Sequence, residues 1–118
     1  MSILSTLFKK EIPGKGKSII LDCKEYKEAI EREKVLLVDV RTSREYSGGH
    51  IKDAVNVDVF KKKAFTEYFE GLDRSKPVYL YCRSGQRSQK TAARLLAMGF
   101  EQIFDLKGGI LRWEKVCK

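Results

Sequence analysis

The chain has 118 residues, 42% of them apolar and 34% charged, with a formal net charge of +8. That length gives one domain with one real core, and the composition excludes a disordered chain. No apolar run approaches the roughly 18 residues of a membrane span.

Three cysteines (Cys23, Cys82, Cys117) and a single histidine (His50) are too few and too scattered for a disulfide framework or a structural zinc site. No metal or cofactor is called for. The start, Met1 to Phe8, lacks the basic and long apolar regions of a signal peptide, which predicts a cytoplasmic protein. The lysines are dispersed: Lys9, Lys10, Lys15 and Lys17, then Lys61 to Lys63, then Lys115 and Lys118. They accompany no nucleic-acid motif, so they read as solvated faces with a general attraction for small anions. Neither nucleic acid nor membrane is expected as a partner, and the chain reads as a monomer.

In chain order, residues 1–17 read as an N-terminal extension that ends at the helix-breaking Pro13-Gly14-Lys15-Gly16-Lys17. The domain proper is expected over 18–118. Ser18 to Leu21 is a short strand. Asp22 suits an N-cap, with Glu25 completing a capping-box pattern, and a helix follows to about Glu33 with Tyr26, Ala29 and Ile30 on one face. Val35 to Val40 is a β-branched apolar run without alternation, the pattern of a parallel strand buried on both faces. Thr42 and Glu45 fit a second capping box, which opens one helical turn that Gly48-Gly49 stops. Ala54 to Val57 is another short strand. Phe60 to Gly71 is a helix whose inward side carries Phe60, Ala64, Tyr68 or Phe69, and Leu72. Pro77 opens the Val78–Tyr81 strand. A helix from about Gln89 to Met98, capped by Ser88, turns Ala92, Leu95 and Leu96 inward and ends at Gly99. Gln102 to Leu106 is the last strand. Lys107-Gly108-Gly109 is a turn, and Ile110 to Val116 is a closing helix anchored by Trp113.

Strands and helices alternate throughout. The expected fold is α/β, with a mostly parallel central sheet of about five strands and helices on both faces. In such sheets ligands bind beyond the carboxyl ends of the strands. Cys82 ends one strand, and the Asp39–Arg41 segment ends another. A cysteine between a strand end and a helix start meets converging backbone N–H groups, so it should hold a negative charge more readily than a free thiol. A helix dipole alone supplies roughly 0.3–1 kcal/mol. Direct N–H donors and Arg83 or Arg87 would have to supply the rest.

Leu37-Val38-Asp39-Val40-Arg41, followed by Glu45-Tyr46, Gly49-His50-Ile51, Ala54 and Asn56, resembles the first signature of the rhodanese (sulfurtransferase) domain. Cys82-Arg83-Ser84-Gly85-Gln86-Arg87-Ser88 is similar to that family's active-site loop, and Gly108-Gly109-Ile110 with Trp113 to its C-terminal signature. The resemblance covers Ser18 to the end. It implies a thiosulfate sulfurtransferase in which Cys82 takes the outer sulfur of a small anionic donor and passes it, as a persulfide, to cyanide, a thiol or a protein. On this reading the loop from Arg83 through Ser84, Gly85, Gln86, Arg87 and Ser88 binds the substrate. Its N–H groups stabilise the sulfur anion, and Arg83 and Arg87 bind the donor's charge.

Asp39 and Arg41 are expected to support the loop through an ion pair or backbone hydrogen bonds. Glu45 is expected to be a cap or a salt-bridge partner, and His50 to fix the turn after Gly49. Cys23 and Cys117 are taken as bystanders, although Cys117 could be a resolving thiol. Phosphatases of the related cysteine–arginine type space the two residues by one position more, which counts against that chemistry. A carrier that takes sulfur from a protein partner would use the same loop and stands as the alternative to the enzyme.

Overall fold

The computed structural model describes residues 16–118. The expectation for the N-terminal extension falls, for residues 1–15, outside this range. Ten elements alternate along the chain: β1 (Lys17–Leu21), α1 (Cys23–Arg32), β2 (Leu36–Asp39), α2 (Ser43–Ser47), β3 (Val55–Asn56), α3 (Lys62–Glu70), β4 (Val78–Tyr81), α4 (Gln86–Ala97), β5 (Gln102–Leu106) and α5 (Gly109–Val116). The five strands form one sheet in the order β1-β5-β4-β2-β3, and every pairing is parallel. All carboxyl ends therefore share one rim, and β4 stands at the centre of it.

All four residues of β4 are buried, because each face of the sheet is covered. On one face Val78 and Leu80 pack with Phe65 and Phe69 of α3, Ala92 and Leu95 of α4, and Ile103 of β5. On the other face Tyr79 and Tyr81 pack with Cys23 and Tyr26 of α1, Ile110 and Trp113 of α5, and Leu106. Strand alternation makes this division. It also assigns Cys82, one residue past β4, to the α3–α4 face with Val78 and Leu80.

Four local expectations are corrected. The inward stripe of α3 is Phe65 and Phe69, while Ala64 is exposed and Phe60, before the helix, is 64% exposed. The stripe is displaced because the helix begins at Lys62, two residues later than the apolar pattern suggests. The Asp22 side chain accepts from the Lys24 N–H at 3.3 Å, and Glu25 makes no reciprocal bond among the described residues. Gly85, in the left-handed region at φ 107°, is the N-cap of α4, so Ser88 lies inside the first turn and is completely buried.

The fourth correction concerns Cys23 and Cys117, which are not bystanders. They form a disulfide with their Cα atoms 6.1 Å apart across 94 residues of sequence. They meet because α1 and α5 lie side by side on one face of the sheet, a proximity that sequence separation conceals. The second capping box is present in full: Thr42 Oγ1 accepts from the Glu45 N–H at 3.2 Å, and Glu45 Oε1 accepts from the Thr42 N–H at 3.0 Å.

Candidate active site

The chain leaves β4 at Tyr81 and turns back into α4 through Arg83, Ser84 and Gly85. This turn curls around the Cys82 sulfur. The Gly85 N–H donates to Sγ at 3.1 Å and the Ser88 N–H donates at 3.3 Å. The Ser88 hydroxyl lies 3.4 Å from the same sulfur and donates to the Gly85 carbonyl at 3.2 Å. Cys82 is 1% exposed. Two N–H groups at the start of a twelve-residue helix, aimed at one buried sulfur, form an anion-holding cradle.

The outside of the turn is held by α5. The Ile110 and Leu111 N–H groups donate to the Cys82 and Arg83 carbonyls at 2.9 and 3.1 Å. Gly109, at φ 64°, lies against the Arg83 carbonyl, where a Cβ would collide with backbone. The glycine pair after β5 thus serves close approach of two backbones.

The cations around the cradle have separate tasks. Arg87 grips Glu45 with two hydrogen bonds, Nη1 to Oε1 at 2.8 Å and Nη2 to Oε2 at 2.9 Å. The Arg87 guanidinium holds the Glu45 carboxyl down at about 2, against the opposing effect of burial, while the Thr42 bonds add to the lowering. In the same pairing, Glu45 raises Arg87. Arg87 is therefore occupied within the protein and is not a free cation waiting for a donor anion. Its Cζ lies 5.8 Å from the centre of the exposed Phe60 ring. Arg83, Ser84 and Gln86 are exposed at the mouth of the loop.

Asp39 and Arg41 form a buried ion pair on the neighbouring strand end. Arg41 Nη2 meets Asp39 Oδ2 at 2.7 Å, and the Arg41 Nε and backbone N–H meet Oδ1 at 3.0 and 2.9 Å. Burial works against the Arg41 charge, but the Asp39 carboxylate outweighs it and the net shift is upward. Arg41 also donates to the Gly49 carbonyl at 2.7 Å, and Asn56 donates to the carbonyls of Asp39 and Arg41. This cluster braces the rim beside β4. The Tyr81 hydroxyl accepts from the Ile51 N–H at 3.0 Å. Its pKa lies well above the usual value, chiefly through burial. His50 is exposed, stacks on Tyr46 at 3.8 Å, and has Nδ1 3.0 Å from the Tyr46 carbonyl.

Sequence reasoning passed over three features. Phe60 is not a core residue but an exposed ring at the mouth of the site. The Glu45–Arg87 pair joins two motifs that are 42 residues apart. Asp105, in the middle of β5, is 1% exposed and its Oδ1 has no hydrogen-bond partner among the described residues. The available signal for Asp105 was a lone acid inside an otherwise inward-facing apolar strand.

Fold and loop together define a class: parallel α/β domains that hold a cysteine sulfur against backbone N–H groups at the end of their central strand. The chain belongs to the Rhodanese-like domain family, whose profile matches residues 22–116. Among solved structures it is similar to a rhodanese-like domain protein from Staphylococcus aureus, with 28% identity, TM-score 0.69, and coverage of 82% of this chain and 90% of that one. It is also similar to a rhodanese-related protein from Thermoplasma volcanium, with 26% identity, TM-score 0.66, and coverage of 80% and 89%. Among curated proteins it is similar to the tRNA uridine(34) hydroxylase of Pelagibacter ubique, 33% identical over 93% of this chain and 39% of that protein. A tRNA uridine(34) hydroxylase of Acinetobacter baylyi is 36% identical over 79% of this chain and 31% of its own length. The chain thus spans less than two-fifths of the curated relatives it matches.

These relatives overturn the expected partners. A small anionic donor, thiosulfate, with no nucleic acid involved, does not agree with relatives named for tRNA. The expectation failed because it judged the lysines by their spacing along the chain. In the fold, the exposed Lys61, Lys62 and Lys63 follow directly on Phe60, whose ring stands over Arg87 at the mouth of the site. Among the described residues no helix is long and apolar enough to cross a membrane.

Proposed function

We propose that this domain supplies the nucleophile of an RNA-modifying reaction, with Cys82 as the attacking thiolate and a tRNA uridine as the substrate. The observation that carries this reading is the pair of N–H groups on the Cys82 sulfur, 3.1 and 3.3 Å away. Such donors favour the anionic nucleophile over the neutral thiol. The names of the curated relatives support the RNA substrate. So does the chemistry at the mouth: an exposed aromatic ring suited to stacking on a base, next to exposed lysines suited to phosphates.

A second reading, sulfur carriage, draws on the same cradle. The Cys82 thiolate attacks the outer sulfur of a sulfane donor and a new S–S bond forms. The donor's own bond to that sulfur breaks, and the donor leaves with the electron pair. The Cys82 persulfide anion then rests on the Gly85 and Ser88 N–H groups. In both readings Asp39 and Arg41 keep the neighbouring strand end in place.

The test is to incubate the purified chain in air, so that dissolved O2 is present as the two-electron oxidant that hydroxylation requires, with tRNA bearing an unmodified uridine at position 34, and to analyse the nucleosides by mass spectrometry. Modified uridine with the wild-type chain, and none with Cys82→Ser, is the expected result. Equal modification by both would remove Cys82 from the chemistry. If neither modifies the RNA, the sulfur-carrier reading is tested on its own by intact mass after exposure to inorganic polysulfide. It predicts a gain of one sulfur that cyanide erases and that Cys82→Ser lacks.

A further inference from the structure

A lone exposed phenylalanine means little, since much of any protein surface is apolar. Phe60 differs in how it is held. Asp58 Oδ1 accepts from the Phe60 N–H at 2.9 Å, and the Asp58 carbonyl accepts from the Lys61 N–H at 3.1 Å, so the ring sits on a closed turn. Backbone hydrogen bonds tie that turn to the Cys82 loop. The Val59 N–H donates to the Val40 carbonyl at 3.2 Å, and the Val40 N–H donates to the Tyr81 carbonyl at 3.1 Å, one residue before Cys82. Val57 and Val59 pack into the α3–α4 core, while Phe60 between them and α3 is 64% exposed.

One face of the ring is backed. The Arg87 guanidinium stands over it, 5.8 Å from the ring centre, within the range of a cation–π contact. Arg87 is itself held in place, because both of its Nη atoms bond to Glu45, at 2.8 and 2.9 Å. Thr42 fixes Glu45 in turn. Next along the chain Lys61, Lys62 and Lys63 are exposed, and no carboxylate among the described residues pairs with them. The Asp58 and Glu45 carboxylates are engaged, one with the turn and the other with Arg87. A preset aromatic face beside unpaired cations fits one chemical class: a nucleic acid with a base out of its stack and its phosphates within reach.

We propose that Phe60 and Arg87 form one stacking platform, which takes an unpaired base of a single-stranded RNA segment while Lys61, Lys62 and Lys63 hold the adjoining phosphates. The base lies on the open face of the ring, and the guanidinium fixes the ring from the other face. Arg87 is thus a positioning residue that acts on the RNA through Phe60. Stacking does not read base edges, so the platform supplies affinity for unpaired bases without choosing among them. A base inside a duplex already has its own stack and gains nothing from the ring. The proposal rests on the reading of an RNA substrate and gives that substrate its strandedness: a loop or an end, not a paired stem.

The test is fluorescence anisotropy of labelled oligouridylate, labelled oligoadenylate and a labelled blunt RNA duplex. Each is titrated with the full chain carrying Cys82→Ser, so that binding is read without reaction. Phe60→Ala should weaken binding of both single strands by about 5- to 150-fold and leave duplex binding within about twofold. The thermal midpoint should hold, because the ring lies outside the core. Phe60→Tyr should restore binding to within about twofold, since the stacking surface is kept. The slope of log Kd against log salt should be the same in Phe60→Ala as in the parent, whereas Lys61→Ala and Lys62→Ala should each lower it by about 0.7. Arg87→Lys keeps the charge and loses the two-pronged grip on Glu45. It should weaken binding in the parent and add nothing in Phe60→Ala. Undiminished binding by Phe60→Ala overturns the platform, and the ring then only shields the Glu45–Arg87 pair. An equal loss on the duplex, or a loss that comes with a lower salt slope, overturns stacking on an unpaired base. Additive losses for Phe60→Ala and Arg87→Lys overturn the positioning role of Arg87. If the parent binds neither single strand, the platform and the RNA reading fall together. Binding as expected, with no modified uridine from the wild-type chain, sinks the reaction alone and supports the platform.

Discussion

At the scale of single residues, the site is defined by which partners are already taken. Glu45 caps α2 through Thr42 and grips Arg87 on α4, so one carboxylate ties the β2 rim to the Cys82 loop. Its pKa, near 2, lies below the ordinary 4.5. A depressed carboxyl stabilises the native state above the unfolded value, and that contribution is lost as pH falls through the folded one. The pair is about a quarter exposed on each side, so solvent screening reduces its worth to about 1 kcal/mol. Glu45→Gln should therefore lower stability by about that amount at pH 7. The difference from wild type should shrink as pH is lowered from 4.5 towards 2, which urea midpoints at several pH values will show. A difference that does not vary with pH would mean that Glu45 acts through packing.

At the scale of elements, the loop is shaped by α5 as much as by its own sequence. The first two helical N–H groups available after Gly109 bind the Cys82 and Arg83 carbonyls. The two glycines that precede them have unequal tasks. At Gly109 a Cβ would strike the Arg83 backbone, whereas at Gly108 it would meet the Arg112 side chain, its Cβ included, at 2.8 Å. Gly109→Ala should cost about 2–4 kcal/mol and slow Cys82 alkylation, while Gly108→Ala should cost about 1–2 kcal/mol for its left-handed backbone and the shift of Arg112, and spare the thiol. Denaturant midpoints and alkylation rates for the two variants check the order; equal costs would show that the close approach does not constrain the loop.

At the scale of the whole molecule, the two faces of the sheet divide structure from chemistry. The α1–α5 face holds the Cys23–Cys117 disulfide, which closes 94 residues of chain. The α3–α4 face holds Cys82, Ser88 and Asp105. Loop-closure entropy puts an upper figure of about 4–5 kcal/mol on such a crosslink. Cys117→Ser, or a reductant on the wild type, should lower the thermal midpoint in proportion while leaving native Cys82 alkylation unchanged, because the crosslink and Cys82 lie in separate cores. An unchanged midpoint would mean that the pair does not contribute to stability in solution.

Periodicity and turn chemistry were enough to place all five strands, to mark Cys82 as the end of one of them, and to foresee the Thr42–Glu45 capping box, because those features depend on residues a few positions apart. The motif at Cys82-Arg83-Ser84-Gly85 and the glycine pair before Trp113 identified the family for the same reason. Register and packing decided the rest. They turned Phe60 outward, gave Arg87 to Glu45, brought Cys23 to Cys117, and buried Asp105 beside Leu80 on the face of the sheet that also carries Cys82. Each of these joins residues from different strands or helices, and a local pattern carries no record of which strand will lie beside which. Pairing across the sheet fixes that, and with it the residues that surround Cys82.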